Sequence, residues 1–463
     1  MRKSEQPYLF HGMTISICPE CMASIPGKII IKNNSIYLIK QCNLHGEFEC
    51  LLEENAEWYL KRKEYNKPGT ESKIQTSINK GCPLDCGLCP DHDQHTCIGL
   101  LEITKNCDLN CPICYAGSKN DVSFMKMEQI KKMMDFFQDA EAGNAEIIQI
   151  SGGEPSTHPD IIEIIETARN KGFKYVMLNT NGLRIASDRA FVKELSRFET
   201  GFEVYLQFDG FEKETYLHFR NQDLTSIKQK AVENLVKHGV PVTLVSTIEK
   251  GINEHEIGSI IDFGLKTPCI RGINFQPVAY FGRRDKNTKL PPSNRITITG
   301  ILQKIEDQSD GIIKFNDFVP LPCNVDSIAV AYMFKENGVF VPISRNIKLS
   351  SYLPVIDNTF YMDAEELTKN LNDCQSDKIC KCGSFLKNIQ RFLPANYIIK
   401  SIKEQKTFID ENTFRISVTM FQDLYNFEMH AMKKECVHVI TDDFKRIPFS
   451  AYNMIHRNKY HEN

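Results

Sequence analysis

Cys107-Asp108-Leu109-Asn110-Cys111-Pro112-Ile113-Cys114-Tyr115 is the stretch from which the rest of the chain can be read. It follows the short apolar run 100–103, which has the length and composition of a buried β-strand. Thiolates are soft ligands that select zinc or iron–sulfur clusters. Three of them on a loop leaving a strand suit three corners of a cubane 4Fe-4S cluster. One iron is then left without a protein ligand and is open to a small molecule.

A second apolar run at 145–150 leads into Ser151-Gly152-Gly153-Glu154-Pro155. Glycines at the end of a strand let backbone approach a ligand closely, and a carboxylate beside them can accept a hydrogen bond from an ammonium. The cysteine triplet followed in this order by the glycine pair resembles the radical S-adenosylmethionine (radical SAM) superfamily. The resemblance implies a cluster on Cys107, Cys111 and Cys114 whose open iron chelates SAM. It also implies reductive cleavage of SAM to a 5′-deoxyadenosyl radical, which takes hydrogen from an unactivated carbon. By the same resemblance Ile113 touches the adenine, and Gly152, Gly153 and Glu154 hold the methionyl amine.

The 463 residues suffice for two or three domains with a sizeable core. A formal net charge of -3 argues against a nucleic-acid partner, and no apolar run approaches the ~20 residues of a membrane span. The N-terminus lacks the apolar core of a signal peptide, so a cytoplasmic protein is expected. Most of the 17 cysteines fall before residue 115, which suits metal ligation better than a disulfide framework.

Near the N-terminus, Cys18-Pro19-Glu20-Cys21 and Cys42-Asn43-Leu44-His45 flank an alternating hairpin that turns at Asn33-Asn34. The two pairs give four ligands for one zinc or mononuclear iron, with Cys50 an equal candidate to His45 for the last position. The basic run around 61–63 reads as the solvated face of a helix entering a linker. Cys82, Cys86 and Cys89 then repeat the three-and-two spacing and read as an auxiliary 4Fe-4S site. His92, His95, Cys97 or a distant residue could complete it.

From residue 100, strands and helices alternate as βα units, six of them by about residue 310. This predicts an α/β fold: a partial (β/α)6 TIM-like barrel with an N-terminal metal-binding ribbon and a C-terminal cysteine-containing extension. The expected divisions are 1–60 for the ribbon, 61–99 for the linker and auxiliary segment, 100–315 for the core and 316–463 for the extension. Met127, Ile130, Met133, Met134 and Phe137 form a core stripe at helical spacing. Strand ends place Asn181, Ser246 and Thr247 where cofactor contacts are made, and Asn253 reads as cofactor contact or helix cap. The resemblance extends this role to Gln207, Asp209 and Arg220, at the SAM ribose and carboxylate. Cys380 and Cys382 could hold a further cluster with Cys323 or Cys374. The 385–402 stretch reads as an amphipathic helix, of a kind also found in peripheral membrane contact.

The full order of motifs, with Asn274-Phe275-Gln276-Pro277-Val278 and the late Ile447-Pro448-Phe449-Ser450-Ala451-Tyr452-Asn453, is similar to the archaeal tetraether lipid synthases and their dihydropterin methyltransferase-like bacterial relatives. That resemblance implies carbon–carbon coupling on a lipid chain, with auxiliary clusters and a reducing partner such as ferredoxin or flavodoxin. Methylation of a pterin-like small molecule, or modification of a peptide, is the alternative substrate class. A non-catalytic iron–sulfur carrier would need the cysteines but neither the glycine pair nor the six βα units.

Overall fold

The computed structural model describes residues 7–70, 72–121, 123–283, 294–347 and 400–457, with isolated positions between 347 and 400. The N-terminal segment is a four-stranded antiparallel sheet in sequential order, β1 (Leu9–Ile17), β2 (Ser24–Lys32), β3 (Ser35–Cys42) and β4 (Gly46–Glu53). Asn33 and Asn34 both have positive φ, as a tight two-residue hairpin turn requires. Alternation buries Ile29, Ile36, Leu38 and Leu52 against Ala56 and Tyr59 of the following helix. Lys40 docks the ribbon on the C-terminal region. Its ammonium is buried and donates to the carbonyls of Ile17 and Leu424 at 2.8 and 2.7 Å.

Six parallel strands follow in sequential order: β5 (Ile98–Glu102), β6 (Ile147–Ser151), β7 (Tyr175–Thr180), β8 (Phe202–Gln207), β9 (Val242–Ile248) and β10 (Ile270–Pro277). Their cores are runs of Val, Ile, Leu and Phe because helices cover the outer face while a cavity occupies the inner one. Helix Met127–Ala140 buries Ile130, Met133, Met134 and Phe137, as its spacing requires.

The C-terminal extension continues the core sheet. β12 (Ile328–Glu336) joins β14 (Thr413–Thr419), which lies parallel to β10, while β11 (Val319–Pro320) and β13 (Val339–Pro342) pair with β12. At the opposite edge β15 (Val437–Ile440) lies parallel to β5 and carries β16 (Arg446–Pro448). The last third of the chain thus prolongs both edges of one sheet. Its two ends approach each other in a cluster of Cys97, Leu321, Cys323, Ile328, Val330 and Cys436.

Arg62 is also not on a solvated face. It is buried and pairs with Asp326 at 2.6 Å, tying the helix after the ribbon to the C-terminal strands. Among the described residues, no helix is long and apolar enough to cross a membrane.

Candidate active site inside the curved sheet

The residues after β5 and β6 are folded onto each other. The N–H of Gly153 donates to the Thr104 carbonyl at 2.8 Å, and that of Glu154 to the Asn106 carbonyl at 2.7 Å. A Cβ on Gly153 would stand 2.2 Å from the Asn106 carbonyl oxygen, and one on Gly152, whose φ is +143°, 2.4 Å from that of Thr104. The glycine pair is therefore required first for docking against the cysteine loop.

Glu154 is buried, and its carboxylate accepts from Ser156 N–H at 3.0 Å, the Thr180 hydroxyl at 2.6 Å and Asn181 N–H at 2.6 Å. Burial holds its pKa above the usual carboxylate range. The Asn181 side-chain amide donates to Asp108 at 2.6 Å, so the third strand end also grips the cysteine loop. Lys228 donates to the Asn181 carbonyl at 2.6 Å, and burial pulls its ammonium down to about 8.

Cys107, Cys111 and Cys114 line one cavity of about 220 Å³ together with Ile113, Gly152, Gly153, Glu154, Asn181, Gln207 and Arg220. Residues from nine strands reach this space. The donor set fits a 4Fe-4S cluster: three free thiols on one loop share a cavity wall, and among the described residues lining it there is no fourth cysteine. Burial pushes the free Cys107 thiol up to about 12, so it is bound metal that would draw out the thiolate. Arg283 closes the loop from behind, its backbone N–H donating to the Cys114 carbonyl at 2.9 Å.

Two expected contact residues act from behind the wall. Asp209 is fully buried and accepts from Arg220 through both oxygens, at 2.7 and 2.9 Å, and from Thr247 N–H at 3.1 Å. Ser246 is spent on the Phe208 carbonyl at the β8–β9 seam, and strand alternation puts Thr247 on the cavity instead. Asn253 knits the loop around Asp209, donating to the carbonyls of Asp209 and Thr247 at 2.8 Å each.

The cavity also takes Gln149, Asn179, Tyr205, Asn274, Gln276 and Arg415, which sequence reasoning did not assign to the site. Their signal was present: polar residues inside otherwise apolar strands. Arg415 lies 3.8 Å from Glu203, which also accepts from Tyr175 and Thr243. Asn274 Oδ1 accepts from Ser417 and Thr419 at 3.0 Å each.

At the ribbon, Cys18, Cys21, Cys42 and His45 bring their ligand atoms within 4.8 Å of one another. Cys50 does not compete with His45, since β4 turns it inward, 3.8 Å from Arg295. Cys82, Cys86, Cys89 and His92 share a small concavity. Of the other fourth-ligand candidates, Cys97 and His95 belong elsewhere: Cys97 joins Cys323 and Cys436, and His95 lies against Cys97. Cys323, expected with Cys380 and Cys382, lies with Cys97 and Cys436 among the described residues. Cys380, Cys382, Cys374 and nearly all of the 385–402 stretch lie outside the described residues.

Two family models match, the radical SAM superfamily over residues 101–264 and the HMPTM N-terminal zinc ribbon domain over residues 10–54. The 7,8-dihydro-6-hydroxymethylpterin dimethyltransferase of Methanocaldococcus jannaschii is 34% identical, over 97% of this chain and 94% of that protein. A probable GTP 3',8-cyclase of Methanothermobacter thermautotrophicus is 30% identical over 35% of this chain and 52% of its own. Among solved structures, Streptococcus suis SuiB bound to S-adenosylmethionine is 14% identical, with a TM-score of 0.38 over 47% of this chain and 48% of that one.

Proposed function

This chain belongs to the radical SAM superfamily, and from that premise we propose that it modifies a carbon of a pterin-like ring, most simply by methylation. When bound, a 4Fe-4S cluster and one SAM would supply a 5′-deoxyadenosyl radical on one-electron reduction by a ferredoxin- or flavodoxin-type donor, and a second SAM with a second electron would supply the methyl group, leaving as S-adenosylhomocysteine. Everything else is the work of the chain: binding, orienting and shielding the reactants.

Cys107, Cys111 and Cys114 would hold the cluster. Ile113 would pack on the adenine, and the Gly152-Gly153-Glu154 turn would meet the methionyl amine. Gln207, Asn181 and Thr247 offer hydrogen bonds along the same wall. Asp209 orients Arg220 from behind.

The observation that carries the substrate reading is the polar lining beyond the cluster. Gln149, Asn179, Tyr205, Asn274, Gln276 and Arg415 present amide, hydroxyl and guanidinium groups to the cavity. A pterin edge alternates donors and acceptors and can pair with such groups. An alkyl tail would cover these groups without offering any of them a hydrogen bond, and would desolvate whatever pairing capacity their protein partners leave over. This lining and the similarity to a pterin dimethyltransferase favour the pterin over the lipid chain that was expected first.

The test is equilibrium binding of 7,8-dihydro-6-hydroxymethylpterin to the anaerobic holoprotein, with a fatty acyl chain as competitor. Saturable pterin binding that the acyl chain does not displace supports the reading. Acyl binding without pterin binding would overturn it.

A further inference from the structure

Three cysteines far apart in sequence meet where the two ends of the large sheet approach. Cys97 immediately precedes β5, Cys436 immediately precedes β15, and Cys323 follows β11. The Cys97 N–H donates to the Cys436 carbonyl at 2.9 Å, holding the two leading segments side by side. All three side chains are at most 3% exposed.

The geometry points to a second mononuclear metal site, a zinc ion held by Cys97, Cys323 and Cys436, with His95 beside Cys97 but outside the 4.8 Å group of the three sulfurs, so that it would have to turn inward to become the fourth ligand. The sulfurs lie within 4.8 Å of one another, and those of Cys323 and Cys436 are 3.8 Å apart. His95 Nε2 stands 3.6 Å from the Cys97 sulfur. A tetrahedron with Zn–S and Zn–N bonds of the usual lengths has edges of about 3.8 Å between two sulfurs and about 3.6 Å between sulfur and nitrogen.

The ribbon site provides an internal standard. There the Cys21 and Cys42 sulfurs are 3.9 Å apart, and His45 Nδ1 is 3.5 Å from the sulfurs of Cys18 and Cys42. The three buried sulfurs therefore have the dimensions of one ion's ligand set, whereas His95, unlike His45, does not lie within 4.8 Å of all its sulfurs. A cubane distributes its thiolates over different iron atoms and keeps them farther apart. Among the described residues, the triplets 82–89 and 107–114 do not converge to within 4.8 Å. Cys323 and Cys436 are not joined by a disulfide, since their sulfur separation far exceeds a bond of about 2.05 Å.

A second observation bears on the fourth ligand. Nδ1 of His95 is buried with no partner among the described residues, while Nε2 meets only a thiol, a weak partner. Binding an ion through one ring nitrogen would relieve that deficit. With His95 turned onto the ion, four protein ligands would make a closed, structural site, one that tethers three chain segments in the folded state. Its neighbours Ile98, Ile328, Val330 and Val437 line the cavity, so the ion would set the cavity floor.

Zinc, iron and acid-labile sulfide are counted in the anaerobically reconstituted holoprotein. Cys323→Ser/Cys436→Ser is expected to lose one equivalent of metal with no loss of sulfide, and Cys18→Ser/Cys21→Ser to lose a separate equivalent. Sulfide lost together with iron would assign the three cysteines to a cluster, and an unchanged metal count would leave them as plain thiols. Either result overturns the site. Should the double variant not fold, zinc is exchanged for cobalt in the wild-type holoprotein. Two equivalents with tetrahedral thiolate spectra are expected, and a single equivalent contradicts the inference.

Discussion

The guanidinium of Arg220 stands 3.9 Å from the Cys111 sulfur. It is kept there by Asp209, which takes its Nε and Nη2 through two oxygens in a buried, bidentate pair. Hydrogen bonds and positive charge at a cluster sulfur favour the reduced cluster. Arg220→Met is therefore expected to lower the midpoint potential by at least about 60 mV, one tenfold step for a one-electron couple. A redox titration followed by electron paramagnetic resonance reads it. An unchanged potential would deny Arg220 this role.

Removing the other half of that pair acts on stability. Asp209→Ala leaves a guanidinium buried without its counter-charge, which costs about 3–5 kcal/mol. Asp209→Asn keeps one acceptor and loses less. Denaturant unfolding of the two variants under anaerobic conditions checks the order.

Gly153→Ala places a methyl group where the Asn106 carbonyl already is. Overpacking of this kind costs about 1–3 kcal/mol, and here the displaced backbone is that of the cysteine loop. Cluster occupancy after reconstitution should fall in step with stability. A variant with full iron and sulfide content would show that the two loops need not touch.

Lys228 gives a pH dependence with a definite sign. Its ordinary value is 10.5 and burial pulls it to about 8. Between those values the unfolded chain binds a proton that the folded chain does not, so stability rises with pH across that window. The wild type should gain on the order of 3 kcal/mol relative to Lys228→Met from pH 8 to pH 10.5. Parallel unfolding curves for the two proteins across that range would contradict the assignment.

Arg415→Met and Asn274→Leu remove polar groups from the cavity without touching the cysteine loop. Each should raise the pterin KM by about 10- to 100-fold, the worth of a hydrogen bond in a dry site. Slow SAM cleavage in the absence of substrate should persist in both. Equal loss of both activities would mean that these residues support the fold instead.

Local signals carried the parts of this molecule that depend on neighbours in sequence. The Cys107–Cys114 loop, the glycine pair and the six βα units could be read because spacing and order alone define them. The Asn33-Asn34 hairpin and the Met127–Ala140 stripe followed from turn chemistry and period. What depends on long-range pairing was hidden. Nothing local says that 413–419 and 437–440 join opposite edges of one sheet, and so nothing local brings Cys97, Cys323 and Cys436 together. Of Ser246 and Thr247, both offered by the strand end, alternation selects Thr247 for the cavity. Arg62 looked solvated because its partner, Asp326, is remote in sequence.

The most direct test combines the anaerobic, reconstituted protein with reductant, SAM and 7,8-dihydro-6-hydroxymethylpterin, followed by mass spectrometry. The account predicts 5′-deoxyadenosine and a pterin carrying added methyl groups, both abolished in Cys111→Ala. An unmodified pterin alongside coupled alkyl chains from added lipid would contradict it.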